Sequence, residues 1–273
     1  NALRQTRIGQ LSMWKGCAFA NAARNGVFAS LLAREGLTGP SPIFEGEKGF
    51  QKIVSGKLQT NPEEWTRFKI LETSIKYYSA EYHSQAAIDA ALQLRKEIAR
   101  ERIREIKIST FKVAVQIIGG EPEKWNPKSR ETADHSLPYM VAVALLDGEL
   151  GPNQFTDERI RDPQLKSMIK KIKVRSNPNL TKIYPRGIPA ILEITDNTGK
   201  KYRKRVEFPR GHYRNPMTDK EVEEKFCRLT RNMITKGTAD EFLRKSWNLE
   251  SITDISDVLS TVIMSSRTQL EQR

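Results

Sequence analysis

The feature that most constrains the fold is a change in hydrophobic period along the chain. Between residues 106 and 119, apolar side chains alternate with polar ones and many are β-branched, which predicts a strand. Residues 189–206 contain two similar runs, and the segment Asp196-Asn197-Thr198-Gly199 between them is typical of a hairpin turn. The chain before and after this middle part has mainly helical patterns. We therefore predict an α+β fold.

The order of these patterns also predicts how the domains are arranged. Helices come first, a mixed region follows, and helices return at the end, as when one domain is inserted into another. We predict that residues 1–71 and 220–273 belong to an all-helical domain, whose N-terminal part is missing. Residues 72–219 should form an inserted α+β lid domain.

The first helix is predicted over residues 11–36, with Ser12 as its N-cap and Gly36 as its C-terminal stop. Residues 18–33 are rich in alanine and apolar on most faces, so we expect this helix to lie deep between other helices. The other elements are predicted from periodicity and turn signals: a short helix or turn at 44–54, helices at 84–104, 136–150, 162–171, 218–233 (with a capping-box start), 240–247 and 255–265, and a strand at 172–175.

The net charge of +13 is compatible with three interpretations. It could mark a nucleic-acid surface, it could be spread over solvated faces, or an acidic small molecule or another part of the protein could balance it. No recognition helix, zinc finger or RNA-binding strand motif is present in the sequence, so we expect no nucleic-acid partner.

Other classes are disfavoured by composition. No apolar run approaches the roughly 20 residues that a membrane span needs, so we expect no membrane partner. The two cysteines, Cys17 and Cys227, and the three scattered histidines have no metal-ligand spacing, so we expect no metal and no cofactor. Few cysteines also favour a reducing compartment such as the cytoplasm. Since the first residue is Asn1, we expect the chain to be part of a longer protein.

Lys15 lies at the predicted start of the first helix. Because a helix N-terminus already attracts anions, a lysine there would complete an anion site. The alternative is an ordinary surface lysine.

A second candidate segment runs from Ile75 to Ala87. It places Lys76, Glu81, His83 and Gln85 in front of a helix of small residues. His83 could act as a general acid or base, because its unperturbed pKa lies near neutrality. Alternatively, His83 caps the helix that follows.

A third candidate segment covers residues 128–139. Tyr139 could donate a proton or hold a carboxylate, and His135 could orient Tyr139. Arg130 could bind a carboxylate through two parallel hydrogen bonds. The alternative for Tyr139 is a core tyrosine in an amphipathic helix.

Together, these segments resemble one family. The stretches that carry the resemblance are SMWKGCAFANAARNG at 12–26 with GLTGP at 36–40, SAEYHSQAA at 79–87, SRETADHSLPY at 129–139, LLDG at 145–148, GH at 211–212 and EEKF at 223–226. They are similar to the MmgE/PrpD family, whose activities include 2-methylcitrate dehydratase, cis-aconitate decarboxylase and iminodisuccinate epimerase. The resemblance covers essentially the whole chain and corresponds to the C-terminal half, or slightly more, of a family member.

The resemblance implies an active site in the cleft between a helical domain and an α+β lid. Lys15, Lys76 and Tyr139 would face that cleft, and with His83 they are the predicted catalytic residues. Further catalytic aspartate and histidine residues of the family would belong to the part that is absent here. The predicted substrate-binding residues are Glu81, Gln85, Arg130 and His135.

The same resemblance implies a function. The decarboxylase branch tends to carry histidine where Glu81 stands, so we expect a cofactor-independent dehydratase of 2-methylcitrate or a related tricarboxylate, a lyase of propionate metabolism. The alternatives are a cis-aconitate decarboxylase, an iminodisuccinate epimerase, or a non-catalytic structural fragment. The family also implies a homodimer that binds a di- or tricarboxylate and is cytoplasmic, or in the mitochondrial matrix of a eukaryote.

Overall fold

The structure is a computed structural model that describes residues 6, 9–59, 66 and 68–262. The described part is α+β, as predicted. Its α-helices are Trp14–Arg34 (α1), Gln85–Leu94 (α2), Lys112–Ala114 (α3), Arg130–Ala133 (α4), Leu137–Asp147 (α5), Asp157–Arg161 (α6), Pro163–Lys170 (α7), Pro178–Thr181 (α8), Asp219–Thr230 (α9) and Lys236–Ser246 (α10). Its strands are Ile103–Thr110 (β1), Ile172–Ser176 (β2), Ala190–Asp196 (β3) and Lys201–Val206 (β4).

The four strands form one mixed sheet in the order β2-β1-β3-β4. β1 pairs in parallel with β2 and antiparallel with β3, and β3 and β4 form the predicted hairpin. The side chain of Asp196 closes the hairpin turn, because its Oδ1 accepts hydrogen bonds from the backbone N–H groups of Thr198 and Lys200 at 2.9 and 3.0 Å. The predicted strand at 172–175 is confirmed as β2.

The core of the described chain lies between this sheet and two helices. Residues 137–146 of α5 are all buried, and the alanine-rich face of α2 packs against α5 and against β3 and β4. Burial of each large apolar side chain contributes about 1.5–3 kcal/mol, so this layer is the main source of stability. Gly148, with a φ of 79°, ends α5 in the left-handed conformation that glycine adopts most readily.

Two predicted elements end earlier than expected. The strand predicted over 106–119 is β1 only as far as Thr110, and residues 112–119 are helical. The β-branched side chains there belong to helical turns that pack on α5 and β2, and such tertiary packing outweighs strand propensity. The helix predicted over 84–104 is α2 and ends at Leu94, because the chain then turns into β1.

The first helix corrects two predictions. α1 is present, but it has no buried residue, and Phe19 and Phe28 are 85% and 62% exposed. The prediction that it lies deep between helices is therefore wrong for this chain. Ser12 is also not its N-cap, since Met13 occupies that position without a side-chain cap. Gly36 is confirmed as the stop: its φ is 92°, and its N–H donates to the carbonyl of Ala33 at 3.0 Å.

The C-terminal helices agree with the sequence. α9 begins with the predicted capping box, in which Thr218 and Glu221 each accept a hydrogen bond from the other's backbone N–H. α10 begins four residues before its predicted start. Residues 256–262 are helical, and the last three residues of the helix predicted at 255–265 lie outside the described residues. In the 44–54 segment, turns lead into a π-helix at Gln51–Ser55. Within the described ranges, we find no helix both long and apolar enough to cross a bilayer.

Candidate functional site

The chain just before α1 is fixed against the α4 region. The N–H of Leu11 donates to the Oγ1 of Thr132 at 3.1 Å, and the hydroxyl of Ser129 donates to the carbonyl of Leu11 at 3.4 Å. The buried ammonium of Lys124 donates to the carbonyl of Gly9 at 3.4 Å. These contacts hold the start of α1, and therefore Lys15, beside the turn that follows α4.

Lys15 meets His135 and Asp134 at that turn. The Lys15 Nζ lies 2.9 Å from His135 Nδ1 and also contacts Nε2 of the same ring. His135 Nδ1 is in turn bonded to the Asp134 carboxylate. The ammonium, the imidazole and the carboxylate form a hydrogen-bonded chain along which a proton can be shared. General acid–base catalysis requires a proton donor or acceptor positioned in this way.

The environment lowers the pKa of Lys15. Burial is the largest cause; the negative charges of Asp134 and Glu81 raise the pKa, while the positive charges of Lys76 and Lys124 lower it. Burial favours the neutral amine because it removes water from the ammonium. Lys15 therefore gives up a proton more easily than a surface lysine does.

A second pair of groups lies next to the first. The Oε1 of Glu81 is 2.7 Å from Nδ1 of His83, and its Oε2 accepts the His83 backbone N–H at 2.7 Å. Because Nδ1 is held by the carboxylate, Nε2 is directed to the opposite side of the ring. The side chain of Phe111 contacts the His83 ring, with ring centroids 5.4 Å apart, and Phe111 itself stacks on Tyr184. The histidine is thus held in one orientation.

The two pairs are joined through the backbone. The N–H of Glu81 donates to the carbonyl of Asp134 at 3.0 Å. Burial acts to raise the pKa of Glu81, but the hydrogen bonds from His83, and the charges that the His83 and His135 rings have when protonated, together lower it. The carboxylate therefore stays ionised near neutral pH. The structure thus brings together four predicted site residues, Lys15, Glu81, His83 and His135.

Lys76 is positioned by a turn from a distant part of the chain. The N–H of Ile75 donates to the carbonyl of Gly211 at 2.8 Å, and the N–H of Tyr213 donates to the Ser74 hydroxyl at 3.2 Å. Lys76 is exposed and near enough to Lys15 for its charge to lower the pKa of Lys15. It therefore stands at the edge of the Lys15–His135 pair.

The other three predicted site residues have different surroundings. The Gln85 side-chain amide bonds backbone groups, accepting the Tyr78 N–H at 3.0 Å, so it shapes the loop before Glu81. The Tyr139 hydroxyl is buried and donates to the carbonyl of Gln154 at 2.6 Å, not to His135. Burial raises the pKa of Tyr139 above its usual range. Arg130 is exposed on α4.

Sequence reasoning noted Asp134 within the polar cluster at 128–139 but gave it no specific role, and it did not identify Lys124. Asp134 stands beside His135 in the sequence, and its carboxylate next to a histidine was a usable signal. Nothing in the sequence marks Lys124, a lysine whose side chain is 1% exposed and which forms an ion pair with Glu121 at 3.5 Å. In the part of the chain that the structure describes, no group of three or more histidine, cysteine or acidic side chains is placed to hold a metal ion.

Two family models match the sequence. The MmgE/PrpD C-terminal domain matches residues 78–251, and the MmgE/PrpD N-terminal domain matches residues 1–63. The first match includes α9 and α10 as well as the sheet. All four clustered site residues fall within the two matched ranges.

Named relatives have matching sequences as well. Cis-aconitate decarboxylase of Homo sapiens is 25% identical over 89% of this chain and 51% of its own length. A 2-methylcitrate dehydratase-like protein of Aspergillus oryzae is 30% identical over 77% of the chain and 45% of its own length. The mitochondrial 2-methylcitrate dehydratase of Yarrowia lipolytica is 28% identical over 85% and 47%. The chain thus spans about half the length of these relatives.

Proposed function

This chain belongs to the MmgE/PrpD family, and on that basis we propose that its protein is a lyase that dehydrates 2-methylcitrate or a related tricarboxylate without a cofactor. Relatives named as 2-methylcitrate dehydratases support this proposal. The observation that carries it is the pairing of Lys15–His135–Asp134 with Glu81–His83 through one backbone hydrogen bond.

Dehydration next to a carboxylate needs a base, an acid and positive charge. The base removes a proton from carbon, the electrons of that C–H bond form the double bond, and the C–O bond breaks with its electrons on oxygen. The leaving hydroxyl takes a proton from the acid and departs as water. Positive side chains stabilise the negative charge that develops on the substrate carboxylate.

The residues divide naturally between these roles. His83 acts as the base, because the ionised Glu81 holds its Nδ1 and stabilises the imidazolium that forms. Lys15 acts as the acid, and the hydrogen bond between Lys15 and His135 lets the two side chains share the proton that is donated. Lys76 binds a substrate carboxylate from the edge of the site. Tyr139 would take part only if its hydroxyl left the carbonyl of Gln154.

The predicted substrate-binding residues differ in whether they contact the substrate directly or act through another residue. Glu81 acts through His83, and His135 through Lys15. The Arg130 guanidinium, exposed on α4, is available to a carboxylate at the rim. Gln85 acts indirectly, since it holds the backbone that leads to Glu81.

We further propose how the domains of the whole protein are arranged. Residues 72–219 form the lid, and residues 1–71 and 220–273 belong to the helical domain that closes the cleft. The apolar side chains exposed on α1 favour such a covering surface, in the same chain or in a second subunit of a homodimer. The compartment is the cytoplasm, or the mitochondrial matrix in a eukaryote, where one relative is named as mitochondrial.

The test is a dehydration assay on the protein that contains this chain, with 2-methylcitrate and citrate as substrates and a chelator present. The ultraviolet absorbance of the conjugated product should rise, and Lys15→Ala and Lys76→Ala should each remove most of that rise while leaving the protein folded. Absence of product with the unaltered protein would reject the proposed reaction. Undiminished rates in both variants would reject the site.

A decarboxylase is the second candidate, and the decarboxylase from Homo sapiens, matched over 89% of the chain, favours it. The same acid and base groups could protonate the carbon from which carbon dioxide leaves. The glutamate at position 81 is our reason for preferring the dehydratase. Incubation with cis-aconitate separates the two, because only a decarboxylase releases carbon dioxide.

A further inference from the structure

Three cationic residues lie near one another where α9 packs beside the segment that carries Lys76. The ammonium of Lys225 donates a hydrogen bond to the backbone carbonyl of Lys76. The guanidinium carbon of Arg228 lies 5.9 Å from the centre of the Tyr77 ring. Because positions 225 and 228 are neighbours on one helical face, both cations of α9 are directed to this segment.

This arrangement is electrostatically unfavourable by itself. Burial lowers the pKa of Lys225, and the positive charges of Lys76 and Arg228 lower it further. The charge of Lys76 likewise lowers the pKa of Lys15. Like charges held at short range repel one another unless an anion binds among them.

Arg228 gives a second, independent observation. Its Nε is buried and has no hydrogen-bond partner among the residues that the structure describes. A buried N–H donor without a protein partner is costly, and in folded proteins such a donor commonly binds a ligand or an ordered water. Arg228 also lines a small cavity together with Arg231, Gln154 and the acidic residue Glu149. The unpartnered Arg228 donor and the neighbouring positive charges of Lys225 and Lys76 favour an anionic group on the side of α9 that faces Lys76.

We propose that Lys225 and Arg228 of α9 form, together with Lys76, a subsite for one carboxylate group of the substrate. The inference rests on the proposed function, since a di- or tricarboxylate has at least one further carboxylate besides the one next to the reacting carbon. Lysine and arginine bind carboxylates through charge-assisted hydrogen bonds. The subsite lies beside the acid–base pairs and does not include them, so it holds the substrate and leaves proton transfer unchanged.

The test compares Lys225→Gln and Arg228→Gln with Lys220→Gln in the protein that contains this chain. Lys220 is the matched control, because it lies on α9, is 84% exposed and pairs with Glu224. Citrate binding is measured by calorimetry, and KM and kcat are measured with 2-methylcitrate. Each of the first two variants should weaken citrate binding and raise KM by about ten- to hundred-fold, with kcat almost unchanged. Lys220→Gln should change neither quantity.

Two further results decide between a substrate contact and a structural role. Lys225→Arg keeps the charge and should restore most of the affinity, and all variants should unfold at nearly the same temperature as the unaltered protein. If Lys225→Gln and Arg228→Gln bind citrate as tightly as Lys220→Gln does, this inference alone is overturned. If the unaltered protein binds no citrate and converts no tricarboxylate, the proposed function fails, and the inference fails with it.

Discussion

Gly211 is the residue at which a single methyl group should most disturb the site. Its φ is 87°, and a Cβ atom there would lie 2.0 Å from the backbone oxygen of Ile75. Ile75 directly precedes Lys76, and its N–H donates to the Gly211 carbonyl at 2.8 Å. Alanine at position 211 must therefore push away the segment that positions Lys76.

The magnitude follows from two contributions. A left-handed conformation costs a residue with a Cβ roughly 1–2 kcal/mol. Loss of the backbone hydrogen bond between Ile75 and Gly211 adds about 0.5–1.5 kcal/mol. We expect Gly211→Ala to lower the free energy of unfolding by about 1.5–3.5 kcal/mol. It should also reduce turnover sharply, because the Lys76 ammonium moves with its backbone.

Gly199 supplies the matched control. It has a φ of 91° in the β3–β4 hairpin, and a Cβ atom there would meet no atom within 4 Å. Gly199→Ala therefore has the conformational penalty without the collision. Urea unfolding measures both variants, and a shift of the midpoint at constant slope reports stability. If the two substitutions cost the same and Gly211→Ala retains full activity, the argument that this turn positions Lys76 is wrong.

Three other side chains offer further tests. Asp134→Asn removes a charge that raises the pKa of Lys15, so the limb of the pH–rate profile that requires protonated Lys15 should move to lower pH. Phe111→Ala empties a fully buried position beside His83 and should cost about 3–5 kcal/mol in denaturant unfolding. Glu221→Gln should flatten the acid dependence of stability. Hydrogen bonds, first from Arg210, hold the pKa of Glu221 at about 2 in the folded state. Its contribution is complete above the unfolded pKa of about 4.3 and is lost as the pH falls towards about 2.

Each of these tests has a control in the same chain. Asp157→Asn changes an exposed carboxylate and should leave the pH profile in place. Phe68→Ala truncates an exposed ring and should cost less than about 0.5 kcal/mol. Glu224→Gln alters an exposed carboxylate on α9 and should preserve the acid dependence. A variant and its control that behave alike would contradict the corresponding prediction.

The success of the sequence predictions depended on whether the signal was local. The β3–β4 hairpin and the capping box of α9 were predicted correctly because a few neighbouring residues determine each of them. The strand expected to run to residue 119 was too long. The β-branched residues in its second half form helical turns. Tertiary contacts with distant parts of the chain stabilise these turns, and they outweigh the local preference for a strand.

The site shows the same division. The chemical character of Lys15, Lys76, His83 and His135 could be recognised from residue type and from the resemblance to a family. The sequence did not reveal that Lys15 contacts His135, because 120 residues separate them. The hydrogen-bond partner of the Tyr139 hydroxyl could not be predicted either, since it is the backbone carbonyl of Gln154, and every residue type has such a carbonyl.

The α+β class, the family and the types of side chain available for acid–base chemistry could all be read from local sequence patterns. The folded chain was needed to show which of these side chains form pairs, that Lys15 and Lys225 are half-buried, and that Lys76, Lys225 and Arg228 lie near one another. The physical reason is that pKa values and hydrogen bonds depend on distance and burial. The distances and the burial of the site residues are set when the N-terminal segment packs on α4 and the 209–215 turn bonds to Ile75.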